Sequence, residues 1–478
     1  MIEQKKKSIR KTKEDLITRR KFIKIIGSAS TLLSISGIGF TRNIVTSKTK
    51  TLPNILLIIT DQQHIDTISA RGCRNVDTLA MDHLVKQGTC FTESYSANPI
   101  CSPARSSLLT GRPSSETGVH VNGRPIRNDI FNIGQWFQSH SRYETVYAGK
   151  WHLPGTHQAQ ISGFRVLTTA MSFHGILGDT ATSQACAAYI HNRSSSNPYL
   201  MVAAFMQPHD ICEWLRLNQN NHEPLRYKEL ANELPQLPDN FDFDGQEPKY
   251  LINMRNNDEP ALGGWGEEHW RYYLWSYYRQ VEMVDAQIGR ILQAVYDKRQ
   301  EQETIIIFTS DHGEGLGHHR NVRKNISYNE ALKVPFVISC PGLIPTKQVN
   351  TQQLITGMDI MPTICDYSGI SCPENIRGRS LVSEITGGIN NTTQFIVMEL
   401  AANKGRVVRS ERYKYVVYHE DPIEQLFDIQ NDPGENVNLA VSADYSVIVD
   451  RHRKMLKQWE SKLDTATDLP AMDAWWRQ

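Results

Sequence analysis

Continuous apolar runs bounded by polar residues are the main pattern along most of the chain. Four of them cover residues 54–59, 145–148, 200–205 and 304–308. Runs without polar alternation are typical of strands buried on both faces, as in a parallel sheet covered by helices. The segments 75–87 and 267–299, which lie between such runs, show helical periodicity. We therefore predict an α/β domain whose large mixed, mostly parallel sheet is flanked by helices.

The pattern changes to short alternating strands near Thr392. Candidate strands cover residues 395–400, 405–409, 413–418 and 425–429, and a terminal helix follows them. Alternation of this kind indicates an antiparallel sheet. We predict three parts, which are an N-terminal segment 1–50, an α/β domain 51–388, and a smaller C-terminal α+β subdomain 389–478 that contains the antiparallel sheet.

Residues 218–260 interrupt the α/β pattern. They are rich in Pro, Asn and Asp and show little periodicity, so we expect a long irregular insertion near the functional cleft. Trp265, Trp270 and Trp275 follow the insertion. Two interpretations of these side chains are open, namely packing of the helix that carries them and stacking on a sugar ring.

The composition is that of an ordinary globular protein. The 478 residues are 40% hydrophobic and 22% charged, with a net charge of +1. No basic block occurs after residue 24, so nothing supports nucleic-acid binding. The eight cysteines show no paired framework, and Cys101 has no vicinal partner cysteine. This arrangement disfavours a disulfide or thiol-redox enzyme.

The segment Cys101-Ser102-Pro103-Ala104-Arg105 carries the most informative chemistry. Proline is tolerated in the first turn of a helix but not in its interior, so Cys101 is predicted at a helix N-terminus. The free N–H groups and the helix dipole favour an anion there. The planar guanidinium of Arg105 lies one turn further on and suits sulfate or phosphate oxygens. The segment therefore predicts an anion site that contains a nucleophile.

Together with Leu109-Thr110-Gly111-Arg112, this segment resembles the Cys-x-Pro-x-Arg motif of the formylglycine-dependent sulfatases, which belong to the alkaline phosphatase superfamily. The resemblance extends from about residue 52 to about residue 440. It implies an alkaline phosphatase-like fold and hydrolysis of a sulfate ester. It also implies that a separate maturation enzyme converts Cys101 to formylglycine (3-oxoalanine), whose hydrated aldehyde attacks sulfur.

Two strand ends resemble the metal site of that family. The resemblance implies that Asp61, Gln62, Asp311 and His312 bind a divalent cation together with residue Cys101. Many relatives have two aspartates at the first pair, so Gln62 removes one negative charge from the site. Calcium is the expected ion because it tolerates a flexible shell with amide oxygens, and magnesium is its competitor. Imidazole suits softer metals better, so His312 is the least expected of these ligands.

Four further side chains match sulfate-binding and proton-transfer positions of the family. They are Lys150 and His152 in Gly-Lys-Trp-His, His209 in Gln-Pro-His-Asp, and Lys324. The resemblance implies that both lysines contact the sulfate together with Arg105. It further implies that His152 steers the formylglycine hydroxyls and that His209 protonates the leaving alcohol.

The reaction implied by this resemblance has two steps. One hydroxyl of the hydrated aldehyde attacks sulfur, with help from a carboxylate such as Asp311, and a sulfated enzyme results. The second hydroxyl then expels sulfate and regenerates the aldehyde, with His152 as the base. An ordinary serine has no second hydroxyl, which explains why this chemistry needs formylglycine at position 101.

Other functions remain open alternatives at this point. A phosphatase, a phosphodiesterase or a phosphonate monoester hydrolase of the same superfold would share the metal site formed by Asp61 and Asp311, and the phosphonate hydrolases also use formylglycine. A catalytically inactive carbohydrate-binding homologue would keep Cys101 unmodified. For an active sulfatase the expected substrate is a sulfated carbohydrate, whose sugar, linkage and sulfate position the sequence does not specify.

Residues 1–50 resemble a twin-arginine export signal. Arg19 and Arg20 are followed by Phe22 and Lys24, and then by an apolar run weaker than a membrane span. The resemblance implies export of the folded protein by the twin-arginine machinery to the periplasm or the extracellular space. No clear Ala-x-Ala cleavage site is present, so retention at the inner membrane by an uncleaved signal is one alternative. An amphipathic N-terminal helix without a targeting role is another.

Overall fold

The architecture is taken from a computed structural model. It describes residues 52–154, 160–169, 174–220, 223, 228–242, 245–388, 394–419 and 421–465. The export signal predicted within residues 1–50 lies outside the described residues.

Strands and helices alternate through the α/β part of the chain, and strands dominate near its end. The described strands are β1 (Asn54–Asp61), β2 (Gly88–Phe91), β3 (Ser94–Tyr95), β4 (Glu144–Gly149), β5 (Arg165–Thr169), β6 (Tyr199–Pro208), β7 (Thr304–Ser310), β8 (Phe336–Ser339), β9 (Gln348–Asn350), β10 (Ile355–Thr356), β11 (Phe395–Leu400), β12 (Gly405–Ser410), β13 (Tyr413–Tyr418) and β14 (Gln425–Asp428). The described α-helices are α1 (Leu79–Gln87), α2 (Cys101–Thr110), α3 (Ser114–Thr117), α4 (Ile133–His140), α5 (Gly175–Asn192), α6 (Ile211–Asn218), α7 (Lys249–Leu262), α8 (Glu267–Asp297), α9 (Asn329–Leu332), α10 (Ile360–Tyr367), α11 (Val382–Ile385) and α12 (Ser446–Glu460).

An eight-stranded sheet in the order β5-β4-β6-β1-β7-β8-β2-β9 forms the centre of the α/β part. Strand β1 pairs in parallel with β6 and β7, and β4 pairs in parallel with β5 and β6. Strand β8 pairs antiparallel with both of its neighbours. The sheet is therefore mixed and mostly parallel, as predicted.

Helices cover both faces of this sheet, which explains why its strands lack polar alternation. In β1 the side chains of Leu56 and Ile58 pack in the cluster that includes helix α8. The side chains of Ile55 and Leu57 pack in the opposite cluster, with helices α4 and α10. Every residue of β1 is buried, so the side chains on both faces of the strand are apolar from Ile55 to Ile59, and polar residues follow only at its carboxyl end.

A separate antiparallel sheet in the order β11-β12-β13-β14 follows. One face of it packs on Tyr328 and Leu332 of the α/β part. Its other face is covered by helix α12 through Val449 and Met455. Together the two sheets confirm the predicted fold class.

The insertion at 218–260 differs from the prediction because it is partly helical. A short 3-10 helix (Lys228–Asn232) and most of α7 lie within it. Leu251 of α7 is fully buried in the cluster beneath the antiparallel sheet. Most helical stability in proteins comes from such tertiary packing, and the polar sequence of α7 gives little local sign of it.

The tryptophans after the insertion contribute to the core. Trp265 and Trp270 are 8% and 7% exposed and contact Tyr273 and each other. This packing confirms the helix-packing interpretation for Trp270, which lies on α8, while Trp265 lies just before the helix and packs in the same core. No helix among the described residues is both long enough and apolar enough to cross a bilayer.

Candidate active site

The carboxyl ends of four parallel strands bring predicted site residues to one edge of the sheet. Asp61 ends β1, Lys150 follows β4, His209 follows β6 and Asp311 follows β7. Cys101 is the first residue of α2. Open α/β sheets bind ligands at this edge.

Cys101 lies at the helix N-terminus that its sequence predicts, with Pro103 in the first turn. Its Sγ atom is 3.2 Å from Nε2 of His312, 3.8 Å from Oδ1 of Asp61 and 3.9 Å from Nζ of Lys150. Burial and the Asp61 carboxylate oppose ionisation of the thiol, yet the ammonium groups of Lys150 and Lys324 hold the pKa of Cys101 well below its usual value. The site therefore favours a negative charge on the side chain at position 101.

Arg105 joins the two aspartates, a role that differs from the predicted contact with sulfate. Its Nη2 donates to Asp61 Oδ2 and its Nε donates to Asp311 Oδ2, both at 2.9 Å. Its Nη1 donates to the backbone oxygen of Lys150 at 2.8 Å. The side chain is 1% exposed, so the guanidinium is desolvated and engaged on three sides. The structure therefore supports a role for Arg105 in fixing the carboxylates, and its contact with sulfate stays a prediction.

The Lys150 ammonium group lies beside the nucleophile and beside Asp61. Its Nζ is 2.6 Å from Asp61 Oδ2. Gly149, which precedes it, has φ +96°, and a Cβ atom there would lie 1.9 Å from the backbone oxygen of Ala204. A glycine is therefore required at the end of β4 to place Lys150. Burial opposes ionisation of Asp61, but Lys150, Arg105 and Lys324 hold the pKa of its carboxyl well below the usual value.

Four of the predicted metal ligands form one cluster. One ligand atom from each of Asp61, Cys101, Asp311 and His312 lies within 4.8 Å of the others. Asp61 turns Oδ2 toward Arg105 and Lys150 and turns Oδ1 toward Cys101, which leaves a carboxylate oxygen facing the cluster. Hard carboxylate oxygens with one imidazole suit a divalent cation, so these residues fit the metal site that the sequence predicts.

Gln62, the fifth predicted ligand, turns its side chain toward other partners. Its Oε1 accepts a hydrogen bond from Nζ of Lys324, and its Nε2 donates to Oε2 of Glu314. Its backbone N–H donates to Asp311 Oδ1 at 3.0 Å. The role of Gln62 as a metal ligand stays a prediction, whereas its contact with a predicted sulfate-binding lysine is direct.

Both predicted histidines interact electrostatically with the Cys101 side chain, which by itself raises their pKa. His152 has φ +56°, and its backbone oxygen accepts a hydrogen bond from Oγ of Ser102. Burial and the neighbouring lysines lower the pKa of His152 and bring that of His209 to about 3. Both imidazoles are therefore neutral at physiological pH before an anion binds. The structure thus brings together every predicted site residue, namely Asp61, Gln62, Cys101, Arg105, Lys150, His152, His209, Asp311, His312 and Lys324.

Glu314 also belongs to this site, although no sequence motif indicates a role for it. It is fully buried and accepts hydrogen bonds from Gln62, Tyr273 and the backbone N–H of Arg323. Its position three residues after Asp311 on the same strand-end loop was the available signal. A glutamate at that spacing does not reveal its partners, because Gln62 and Tyr273 come from distant parts of the chain.

The chain matches two models of known protein families. The model described as Sulfatase matches residues 53–370. A second, described as N-sulphoglucosamine sulphohydrolase, C-terminal, matches residues 317–462. The first match covers more than half of the chain and contains the whole candidate site.

Known proteins resemble the chain over most of its length. A Delta 4,5-hexuronate-2-O-sulfatase from Bacteroides thetaiotaomicron is 31% identical, with 85% of this chain and 88% of that protein covered. The solved structure of a 2-O GAG sulfatase is 29% identical with a TM-score of 0.76, covering 87% of this chain and 95% of that one. A phosphonate monoester hydrolase of Agrobacterium radiobacter has a TM-score of 0.71 at 23% identity, covering 86% and 96% of the two chains, and shows the fold alone.

Proposed function

The chain belongs to the sulfatase family, and we propose that it removes sulfate from a sulfated carbohydrate by means of a formylglycine made from Cys101. Hydrolysis of sulfate esters is the reaction of this family. The observation that carries the proposal is the position of Cys101 Sγ, 3.2 to 3.9 Å from His312, Asp61 and Lys150. The predicted nucleophile thus lies beside two predicted metal ligands, His312 and Asp61, and beside the Lys150 ammonium group.

The Sγ atom marks where an oxygen of hydrated formylglycine would lie. A position that stabilises a thiolate also stabilises an ionising hydroxyl, because the same ammonium groups act on either anion. In the second step His152, which interacts electrostatically with this side chain and is neutral, accepts the proton of the remaining hydroxyl as sulfate leaves.

Asp61, Asp311, His312 and residue 101 would hold the divalent cation, which we propose to be calcium. A bound cation supplies electrostatic activation of the attacking hydroxyl. The protein prepares the site by clamping both carboxylates on Arg105, so that their remaining oxygens keep a fixed separation. This preorganisation lowers the cost of assembling the ligand shell.

Lys150 and Lys324 would bind the sulfate oxygens. Both ammonium groups act on the Cys101 side chain, so both would also act on the sulfate group of a substrate under attack there. Fixed cations around the reacting group stabilise the charge that develops in the transition state.

His209 would protonate the leaving oxygen, although its pKa of about 3 makes it neutral in the absence of substrate. A sulfate ester is an anion, and an adjacent negative charge favours the imidazolium form. We therefore expect His209 to gain its proton as the substrate binds. A sugar alcohol is a poor leaving group, so this proton transfer matters most for a carbohydrate sulfate.

The carbohydrate substrate is proposed on the basis of the relatives, among them a hexuronate 2-O-sulfatase and a 2-O GAG sulfatase. Maturation by a formylglycine-generating enzyme and passage through the twin-arginine machinery complete the proposal. The location is then the periplasm or the extracellular space, with anchoring at the inner membrane through an uncleaved signal as the alternative.

The test is sulfate release from a panel of sulfated mono- and oligosaccharides by protein coexpressed with a maturation enzyme. An unsaturated hexuronate 2-O-sulfate is the first member of the panel because of the relative named above. The proposal predicts turnover of at least one sulfated sugar and no turnover by Cys101→Ala. Turnover of aryl sulfates alone would contradict the carbohydrate part, and unmodified cysteine in the active protein would contradict the formylglycine part.

A further inference from the structure

Glu314 is a fully buried carboxylate that joins three parts of the candidate site. Its Oε1 accepts hydrogen bonds from the hydroxyl of Tyr273 on α8 and from the backbone N–H of Arg323, the latter at 2.5 Å. Its Oε2 accepts a hydrogen bond from Nε2 of Gln62. Three donors converge on one carboxylate, so its position is fixed in a desolvated environment where such bonds are strong.

The contact with Glu314 decides which end of the Gln62 amide faces Lys324. The carboxylate can only accept hydrogen bonds, so it selects the NH2 end of the amide. The amide oxygen is thereby turned to Nζ of Lys324, from which it accepts a hydrogen bond. The reversed amide would place an NH2 group against the ammonium group. Glu314 therefore determines whether residue 62 attracts or repels Lys324.

A second route connects Glu314 with Lys324 through the backbone. Arg323 and Asn325, which flank Lys324, have φ values of +67° and +68°. Side-chain-bearing residues rarely adopt this left-handed conformation, so the loop needs bonds that hold it. The hydrogen bond from the Arg323 N–H to Glu314 is one of them.

We propose that Glu314 is a positioning residue that holds the Lys324 ammonium group in place for sulfate binding, through the Gln62 amide and through the Arg323 backbone. The inference rests on the proposed function, since that proposal supplies the sulfate role of Lys324. It also gives Gln62 a role that does not depend on the metal ion.

The test exchanges the two polar groups of the Gln62–Glu314 contact. In Glu314→Gln the remaining side-chain oxygen keeps the hydrogen bonds from Tyr273 and from the Arg323 N–H, but the new NH2 group faces the NH2 group of Gln62. Gln62 must then reverse and present its own NH2 group to Lys324. In Gln62→Glu two carboxylates face each other. In the double variant Gln62→Glu/Glu314→Gln, the amide at 314 donates to the carboxylate at 62, whose other oxygen accepts from Lys324.

The readouts are kcat/KM for a sulfate ester and the inhibition constant of inorganic sulfate, both with calcium in excess. In each single variant kcat/KM should fall and the inhibition constant of sulfate should rise, each by about 10- to 100-fold, as expected for the loss of one charge-assisted hydrogen bond. The double variant should recover most of that loss. Asp285→Asn, which replaces another buried carboxyl group outside the site by an amide, should match the wild type in both.

Rescue separates positioning from a merely structural role. If the double variant were no better than the worse single variant, or if both single variants bound sulfate like the wild type, the inference would be overturned. The Lys324→Ala variant tests separately whether Lys324 binds sulfate, which is the premise taken from the proposed function. Unchanged sulfate inhibition in Lys324→Ala would reject the sulfate role of Lys324 and the inference with it, whereas weakened inhibition there combined with no rescue would reject the positioning role alone. Thermal melting of all variants identifies any protein that fails to fold. If a single variant does not fold, activity and sulfate binding of the double variant decide whether Glu314 positions Lys324.

Discussion

The Sγ atom of Cys101 lies 3.2 Å from Nε2 of His312, so the residue predicted to become the nucleophile contacts a predicted metal ligand. The two residues come from different elements, the start of α2 and the loop after β7. Their contact places nucleophile and cation site in one cluster, which is the arrangement that activation of a hydroxyl by a metal ion requires.

Replacement of Cys101 tests whether both oxygens of hydrated formylglycine are needed. We expect Cys101→Ala to release no sulfate, because a methyl group cannot be hydrated. Cys101→Ser should also fail to turn over, although its single hydroxyl should trap a sulfated serine that mass spectrometry detects. Melting temperatures near that of the wild type would show that the fold is intact. Sulfate release by the alanine variant above background would exclude the covalent mechanism.

Loss of a carboxylate should affect the cation site more than loss of the Gln62 amide. Asp311→Ala removes a charged ligand and also frees Arg105, whereas Gln62→Ala removes a neutral group that faces Lys324. We expect chelation to abolish activity, calcium to restore it, and calcium affinity measured by calorimetry to fall much further in Asp311→Ala. Equal losses of calcium affinity in the two variants would contradict this ranking and would make the Gln62 amide as important to the cation site as the Asp311 carboxylate.

His209→Ala should discriminate between leaving groups. A sugar alcohol needs protonation as it leaves, whereas nitrophenolate does not, so the ratio of the two rates should change by about 10- to 100-fold. The measurement is kcat/KM on a sugar sulfate and on nitrophenyl sulfate for both proteins. Equal losses on both substrates would show that His209 binds sulfate or supports the fold, and Lys324 would become the candidate acid.

Asp285 should make the protein less stable as the pH rises toward neutrality. Burial raises the pKa of this carboxyl to about 7, despite hydrogen bonds from the N–H groups of Ala80 and Met81. Its pKa in the unfolded chain is about 3.9, so between about pH 4 and 7 only the folded state holds the proton. The free energy of unfolding therefore falls as the pH rises through this window. Urea unfolding of Asp285→Asn across it should show a shallower decline, and an unchanged slope would disprove the contribution of Asp285.

The positions of the site residues could be predicted because they depend on local sequence. Asp61 and Asp311 end apolar strands, and parallel strands bring their carboxyl ends to one edge. Pro103 restricts Cys101 to a helix start. These rules hold whatever the rest of the chain does, so the sequence indicates both the fold class and the neighbourhood of the nucleophile.

The partners of those residues could not be predicted, because they depend on tertiary packing. A guanidinium at position 105 suits a sulfate and two carboxylates equally well, and only the assembled sheet shows that Asp61 and Asp311 occupy it. Likewise, no local signal indicates that Glu314 meets Gln62, or that α7 is stabilised by burial of Leu251.

A comparison of the ester types that the mature protein hydrolyses tests sulfatase activity most directly. The measurement is kcat/KM for a sulfated sugar, a phosphonate monoester and a phosphodiester, for the wild type and for Cys101→Ala, with residue 101 analysed by mass spectrometry in the same preparation. We expect formylglycine at position 101, the highest kcat/KM on the sulfated sugar, and no activity in Cys101→Ala. A higher kcat/KM on the phosphonate or the phosphodiester, or full activity with an unmodified cysteine, would contradict this expectation.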